Sequence, residues 1–249
     1  MNNYYQPGNG TQHYWQQPQQ EMSLDARVSQ VMKNVYVKMF LALLVTAAVS
    51  VGVALFKTDL ALYIHGNRMV YWGLAILELV LVLVISARLN KLAPAMATGL
   101  FYLFAVVNGL TLSILCLAFS FASLFKTFLI CAGTFGAMSV YGYFTTRDLT
   151  KIGSFLYMAL FGLLIMIVVN IFWANSTLDW IISGAGVFIF IGLTAWDTQK
   201  IKQLAAANPG IASQNIATWS ALSLYLDFIN LFIYLLRFFG RSRCSPGVA

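Results

Sequence analysis

The stretch "FIFIGLTAWDTQKIK", Phe188 to Lys202, decides how the chain is read. Up to Trp196 it is a continuous apolar run, and upstream the run extends to Leu178. Continuous rather than alternating apolarity at this length is the mark of a membrane helix, not of a strand in a membrane barrel. Asp197 then stands at the inner edge of the run, three residues before Lys200. An Asp at the centre of a membrane helix costs roughly 2.5–3.5 kcal/mol on insertion scales, so such a carboxyl is protonated, paired or beside water.

The rest of the chain has the same character. Of 249 residues 60% are hydrophobic and 9% charged, against about 25% charged in soluble domains. A bilayer crossing takes about 20 apolar residues as helix. Seven runs qualify: Met39–Phe56, Val70–Ala87, Ala93–Leu117, Ser123–Phe144, Ile152–Trp173, Leu178–Trp196 and Trp219–Phe239. The expected fold is all-α, a polytopic membrane protein of seven transmembrane helices. The membrane domain is expected over residues 23–243. Residues 1–22 read as a disordered polar tail, because their Gln, Asn, Pro, Gly and Tyr cannot bury enough apolar area to order them. Residues 244–249 form a short C-terminal tail.

An odd number of crossings places the termini on opposite sides. Nine bases fall on the N-terminal side, side A, and six on side B. The positive-inside rule puts side A in the cytoplasm. The tail "RFFGRSRCSPGVA" runs against the rule, since its three arginines fall on side B. The net charge of +7 is spread over the ends of the apolar runs. It reads as orientation and contact with anionic lipid rather than nucleic-acid binding. Cys116, Cys131 and Cys244 contain no C-x-x-C pair, and the first two lie inside apolar runs as small apolar residues. The small-residue stretches "CAGTFGAMSVYG" and "SGAGVFIFIG" are expected to let helices approach closely. Asn108, Asn170 and Asn230 are expected to link helices by hydrogen bonds.

Enzyme chemistry finds little footing. His13 and His65 are the two histidines, one in the tail and one in the loop after the first run, both expected to be solvated. The chain carries no H-E-x-x-H motif and no phosphate-binding loop. No cofactor is expected.

The acids carry more. Glu78, Asp197 and Asp227 are the three carboxyls within spans or at their inner part, and the other five acids are expected in the tail or at loop positions. The last two runs are joined across "NPG" at Asn208–Gly210, a turn signal. Asp197 and Asp227 are equidistant from residue 212, so in an antiparallel hairpin they stand at similar depth on adjacent helices. Spacing leaves the rotation of each helix open. If the two face each other, the first proton leaves readily and the second is held. The bland alternative has Asp197 at the interface balanced by Lys200. Arg88 ends the second run on the same side, and Glu78 lies about 15 Å deeper by helix rise.

"FIFIGLTAWDTQKIK" followed by "LSLYLDFINLFIYLLRFFG" resembles the Bax inhibitor-1 family, the transmembrane Bax inhibitor motif family. "FGAMSVYGYFTTRDLTKIG", Phe135 to Gly153, resembles its bacterial members. The resemblance covers roughly Met39 to Arg243, and the Ala-aromatic-Asp-Thr-Gln element is its most specific part, with Trp196 where Tyr is more usual. It implies seven helices with the last one central and surrounded by six. It implies a pH-sensitive calcium leak channel of the bacterial plasma (inner) membrane. It also implies that Asp197 and Asp227 are the pH sensor and a transient Ca²⁺ site, with Arg88 as latch partner. Glu78 is a candidate pore-lining acid on its depth alone. The alternatives are a proton-coupled Ca²⁺ exchanger and a non-conducting regulator that binds another membrane protein. The expected partners are therefore the lipid bilayer, Ca²⁺ and protons, with a membrane-protein partner under the last alternative.

Overall fold

The structure is a computed structural model that describes residues 24–87, 93–173, 175–207 and 213–240. The tails expected at residues 1–22 and 244–249 lie outside the described residues. Eight helices follow one another: α1 (Leu24–Phe56), α2 (Thr58–Gly66), α3 (Arg68–Ala87), α4 (Pro94–Ala118), α5 (Phe121–Phe144), α6 (Thr150–Trp173), α7 (Ser176–Ala207) and α8 (Ser213–Phe239). Seven of them, all but α2, are long and apolar enough to cross a membrane. The fold is all-α and polytopic.

Among the differences from the sequence expectation, two bear on the packing. α1 starts at Leu24 rather than Met39 and runs for 33 residues, about 50 Å by helix rise. Its first four turns carry Arg27, Lys33 and Lys38 and so contribute no apolar run, yet they bury Val28, Val31, Met32 and Val35. The second is α2, nine residues of "TDLALYIHG" that were expected as loop. It is too short to span, and Ala61 and Ile64, three residues apart, bury one face of it.

α8 is the axis of the bundle. It packs against α7, α1, α5, α4 and more lightly α3, while α6 docks mainly on α7. It is the most buried of the spans. Leu222, Leu224, Tyr225 and Leu231 are among its fully buried side chains. At its side A end Lys38 of α1 donates to Thr98 of α4 at 3.0 Å and Thr218 of α8 at 2.6 Å, tying three helices with one ammonium group. The tight α4–α5 turn is fixed by Ser120, whose hydroxyl accepts from the Ser123 amide at 3.2 Å.

The small residues do the expected packing at some positions and not at others. A Cβ on Gly142 would lie 2.2 Å from the Ala195 carbonyl oxygen, so α5 and α7 touch backbone to backbone there. Gly186 makes the same room for the ring of Tyr234, and Gly192 for Leu156. Gly133 and Gly136 face open space. Asn170 links α6 to α7 by donating to Asp179 at 2.8 Å. Asn230 does not act between helices: its side-chain amide donates to the Leu226 carbonyl of its own helix at 2.8 Å.

Candidate functional site

Each residue of "AWDTQKIK" has a different neighbour, because consecutive helix positions are about 100° apart. Trp196 turns to α6, where its ring stands edge-on to Tyr157 at 5.2 Å. Gly153 gives it space: a Cβ there would come within 2.2 Å of the indole. The Trp in place of the usual Tyr is therefore accommodated by a missing side chain on the facing helix. Thr198 returns its hydroxyl to the Thr194 carbonyl at 2.8 Å. Gln199 reaches the α5–α6 connection, accepting from the Leu149 amide at 2.9 Å and donating to the Arg147 carbonyl at 2.8 Å. Asp148 in that connection accepts from the Thr150 amide at 2.9 Å and opens α6. The Thr150 hydroxyl and amide hold its carboxyl below the usual carboxylate range. Lys200 stands over the rings of Trp196 and Trp219, at 4.7 and 5.0 Å.

That leaves Asp197, which points at α8. It is 4% exposed, so it is not an interfacial acid in water. Ser223 of α8 donates its hydroxyl to Asp197 Oδ2. Asp227, 6% exposed, is four residues further along the same face of α8, about 6 Å by helix rise. The two carboxyls are close enough to act on each other electrostatically, and both act on the Tyr157 hydroxyl from α6. The meeting is thus staggered by a turn from the register that equal distance from residue 212 gives. Ser223 takes the place directly against Asp197.

The surroundings of this pair are poor in compensation. Asp197 Oδ1 and Asp227 Oδ2 are buried with no hydrogen-bond partner among the described residues. Lys200, three residues on, stands over the rings of Trp196 and Trp219, and among the described residues the ion pair present is Arg237 with Asp179, at the far end of the bundle. Arg88 lies outside the described residues, one position beyond the end of α3. Among the described residues no group of three or more His, Cys, Asp or Glu side chains converges on a metal position.

Glu78 is not part of this site. It accepts from the Thr111 hydroxyl and, at 3.5 Å, from the Asn108 side-chain amide, both on α4. Asn108 in turn accepts from the Tyr225 hydroxyl at 3.1 Å. Tyr225 lies between Ser223 and Asp227 in sequence, hence on the opposite face of α8. The central helix carries two polar centres, one on each side.

Ser223, Tyr157 and Gln199 were not singled out from the sequence. Ser223 had a readable signal, four residues before Asp227 and therefore on its face. Gln199 sits inside the quoted motif. Tyr157 had none, because its place depends on how α6 docks.

A family model described as "Inhibitor of apoptosis-promoting Bax1" matches residues 28–244. The chain belongs to the Bax inhibitor-1 family. It is 43% identical over 215 residues to the inner membrane protein YbhL of Escherichia coli strain K12, covering 85% of this chain and 92% of that one. An uncharacterized protein of Borreliella burgdorferi is 42% identical over 212 residues, covering 84% and 91%. An uncharacterized protein of Rickettsia prowazekii is 49% identical over 146 residues, covering 58% and 61%. The Bax inhibitor-1 match takes in Asp197, Ser223 and Asp227 together with the helices that carry them.

Proposed function

We propose that this protein is a proton-gated passive pathway for Ca²⁺, and that Asp197 and Asp227 are its sensor. The observation that carries the reading is the burial of two interacting carboxyls, each with an oxygen lacking a partner among the described residues. Two carboxylates that close resist ionising together, so the charge of the pair changes in steps with pH. In a low-dielectric interior each step shifts the balance of forces between α7 and α8. Ca²⁺ prefers hard oxygen ligands. Two carboxyls, with the Ser223 and Tyr157 hydroxyls, offer few of them, which suits brief binding on a leak path rather than tight storage.

In this reading the ionised pair holds Arg88 at the side A end of α3, and protonation releases it. Side A is the cytoplasmic side of a bacterial inner membrane, in keeping with the excess of bases there and with the likeness to the inner membrane protein YbhL. Glu78, the candidate pore-lining acid, stands apart from the sensor, reached from Tyr225 on the other face of α8 through Asn108.

The test is Ca²⁺ flux into liposomes containing the purified protein, between about pH 6 and about pH 8, the range around the histidine midpoint. Flux that rises on acidification in the wild type and loses that dependence in Asp197→Asn/Asp227→Asn supports the proposal. Equal pH dependence in both removes the sensor role. Uphill Ca²⁺ movement under an imposed pH gradient points to exchange instead of leak. No flux, with a membrane protein co-purifying, points to a regulator.

A further inference from the structure

The second polar centre has features that the calcium reading does not use. Its chain of contacts runs through five helices. Thr46 of α1 meets the Tyr225 hydroxyl at 2.7 Å, Tyr225 donates to Asn108, and Asn108 and Thr111 of α4 both donate to Glu78 of α3. On the far side of Thr111 stands His65 of α2, its ring against the Thr111 carbonyl. The sequence suggested a solvated loop histidine. The structure puts it in a helix, its ring tilted against that of Tyr71 at 5.6 Å between centroids, with Nε2 buried and without a partner among the described residues. Thr111 is thus flanked by Glu78 on its hydroxyl and His65 on its carbonyl.

A carboxyl at mid-bilayer is balanced by a cation or carries a proton. Among the described residues no cation lies within ion-pair distance of Glu78. Of the titratable groups around it, Tyr225 from α8 lies close enough to act on it electrostatically, and His65 from α2 reaches the same residue, Thr111, from its carbonyl side. α4 brings neutral Asn108 and Thr111, and α1 brings Thr46. Lys57, Asp59 and Arg68, at the ends of α2 and α3, are exposed. We propose that Glu78, with Thr111, Asn108 and Tyr225, is a second proton-binding site, and that His65 delivers its protons from side B. In the step, an imidazolium N–H bond breaks and a carboxyl O–H bond forms. The imidazole returns to neutral, and the summed charge of the two groups is unchanged. Burial holds the His65 imidazole below its ordinary value, with the Thr111 carbonyl pulling the other way. The site does not rest on calcium conduction, since α8 separates it from the aspartates.

Infrared difference spectroscopy on the full chain in liposomes tests this without any flux measurement. The background is Asp197→Asn/Asp227→Asn, which removes the other buried carboxyls among the described residues. A jump from about pH 8 to about pH 5, spanning the histidine midpoint, is expected to raise a protonated-carboxyl band that Glu78→Gln abolishes. In His65→Phe the band is expected to form roughly a hundredfold or more slowly, the lower end of general acid–base effects. Free imidazole is expected to restore the rate. His65→Gln, which keeps a donor for the Thr111 carbonyl but cannot titrate, is expected to be equally slow. A band that survives Glu78→Gln, or one that forms at the wild-type rate in both His65 variants, overturns the proposal.

Discussion

Asp197 and Gln199 are two residues apart and face different partners, one a helix and one a connection. The Gln199 side chain satisfies two backbone groups of the α5–α6 connection, at 2.9 and 2.8 Å. Gln199→Ala leaves a buried Leu149 amide unpaired, which costs about 1–3 kcal/mol. The expected result is a lower melting temperature in detergent with the helix content unchanged. A variant as stable as the wild type shows the clamp to be dispensable. Ser223→Ala removes the one hydroxyl that touches Asp197 among the described residues. Under the sensor proposal it shifts the midpoint of the pH–flux curve while leaving a dependence in place. A curve that superimposes on wild type separates Ser223 from sensing. His65 has its own signature. Its imidazole is held below the ordinary value of about 6.5 by burial, so the fold favours the neutral ring. The stability this gives is present above the unfolded value and is lost as pH falls below it. Acidification below about pH 6 is therefore expected to loosen α2, read as faster hydrogen exchange over Thr58–Gly66 in wild type but not in His65→Gln.

At the scale of elements, the bundle depends on close approaches that glycine permits. Gly142 lets α5 lie on the Ala195 carbonyl, and Gly153 lets α6 take the Trp196 ring. Gly142→Ala puts a methyl group against backbone that has no flexible end to move, so overpacking of about 1–3 kcal/mol is expected. In Gly153→Ala the clash is with a ring. The pair Gly153→Ala/Trp196→Phe is expected to recover part of the stability lost in Gly153→Ala alone, measured by thermal denaturation. No recovery means that the two positions do not share that space. The elements themselves were largely legible, because an apolar run about 20 residues long has few other fates. What escaped was the polar beginning of α1, which buries one face without forming an apolar run, and α2, too short to register as a span. Hairpin depth was legible to within a turn. Rotation was not: nothing in "LSLYLDFIN" says which of Ser223, Tyr225 and Asp227 faces which neighbour. That rotation is what puts Ser223 on Asp197 and sends Tyr225 to Thr46 and Asn108.

For the whole molecule, the consequence is a central helix with ionisable groups on both faces and apolar packing between. The α5 side of α8 is closed by Phe128 and Phe135 against Phe228, at 5.7 and 5.4 Å. The aspartates are thus closed off on that side. The side B end is tied through Asp179, which receives Asn170 from α6 and, at 3.5 Å, Arg237 from α8. That pair is about half exposed, so it is worth little in stability. A change of charge at Asp197 and Asp227 therefore falls on a buried part of the contact between α7 and α8. Calcium flux through the purified protein in liposomes, followed from about pH 8 to about pH 6 in wild type and in Asp197→Asn/Asp227→Asn, tests this most directly. Flux that climbs with acidity in the wild type and stays level in the double variant is the predicted result. A double variant that follows the wild-type curve contradicts it.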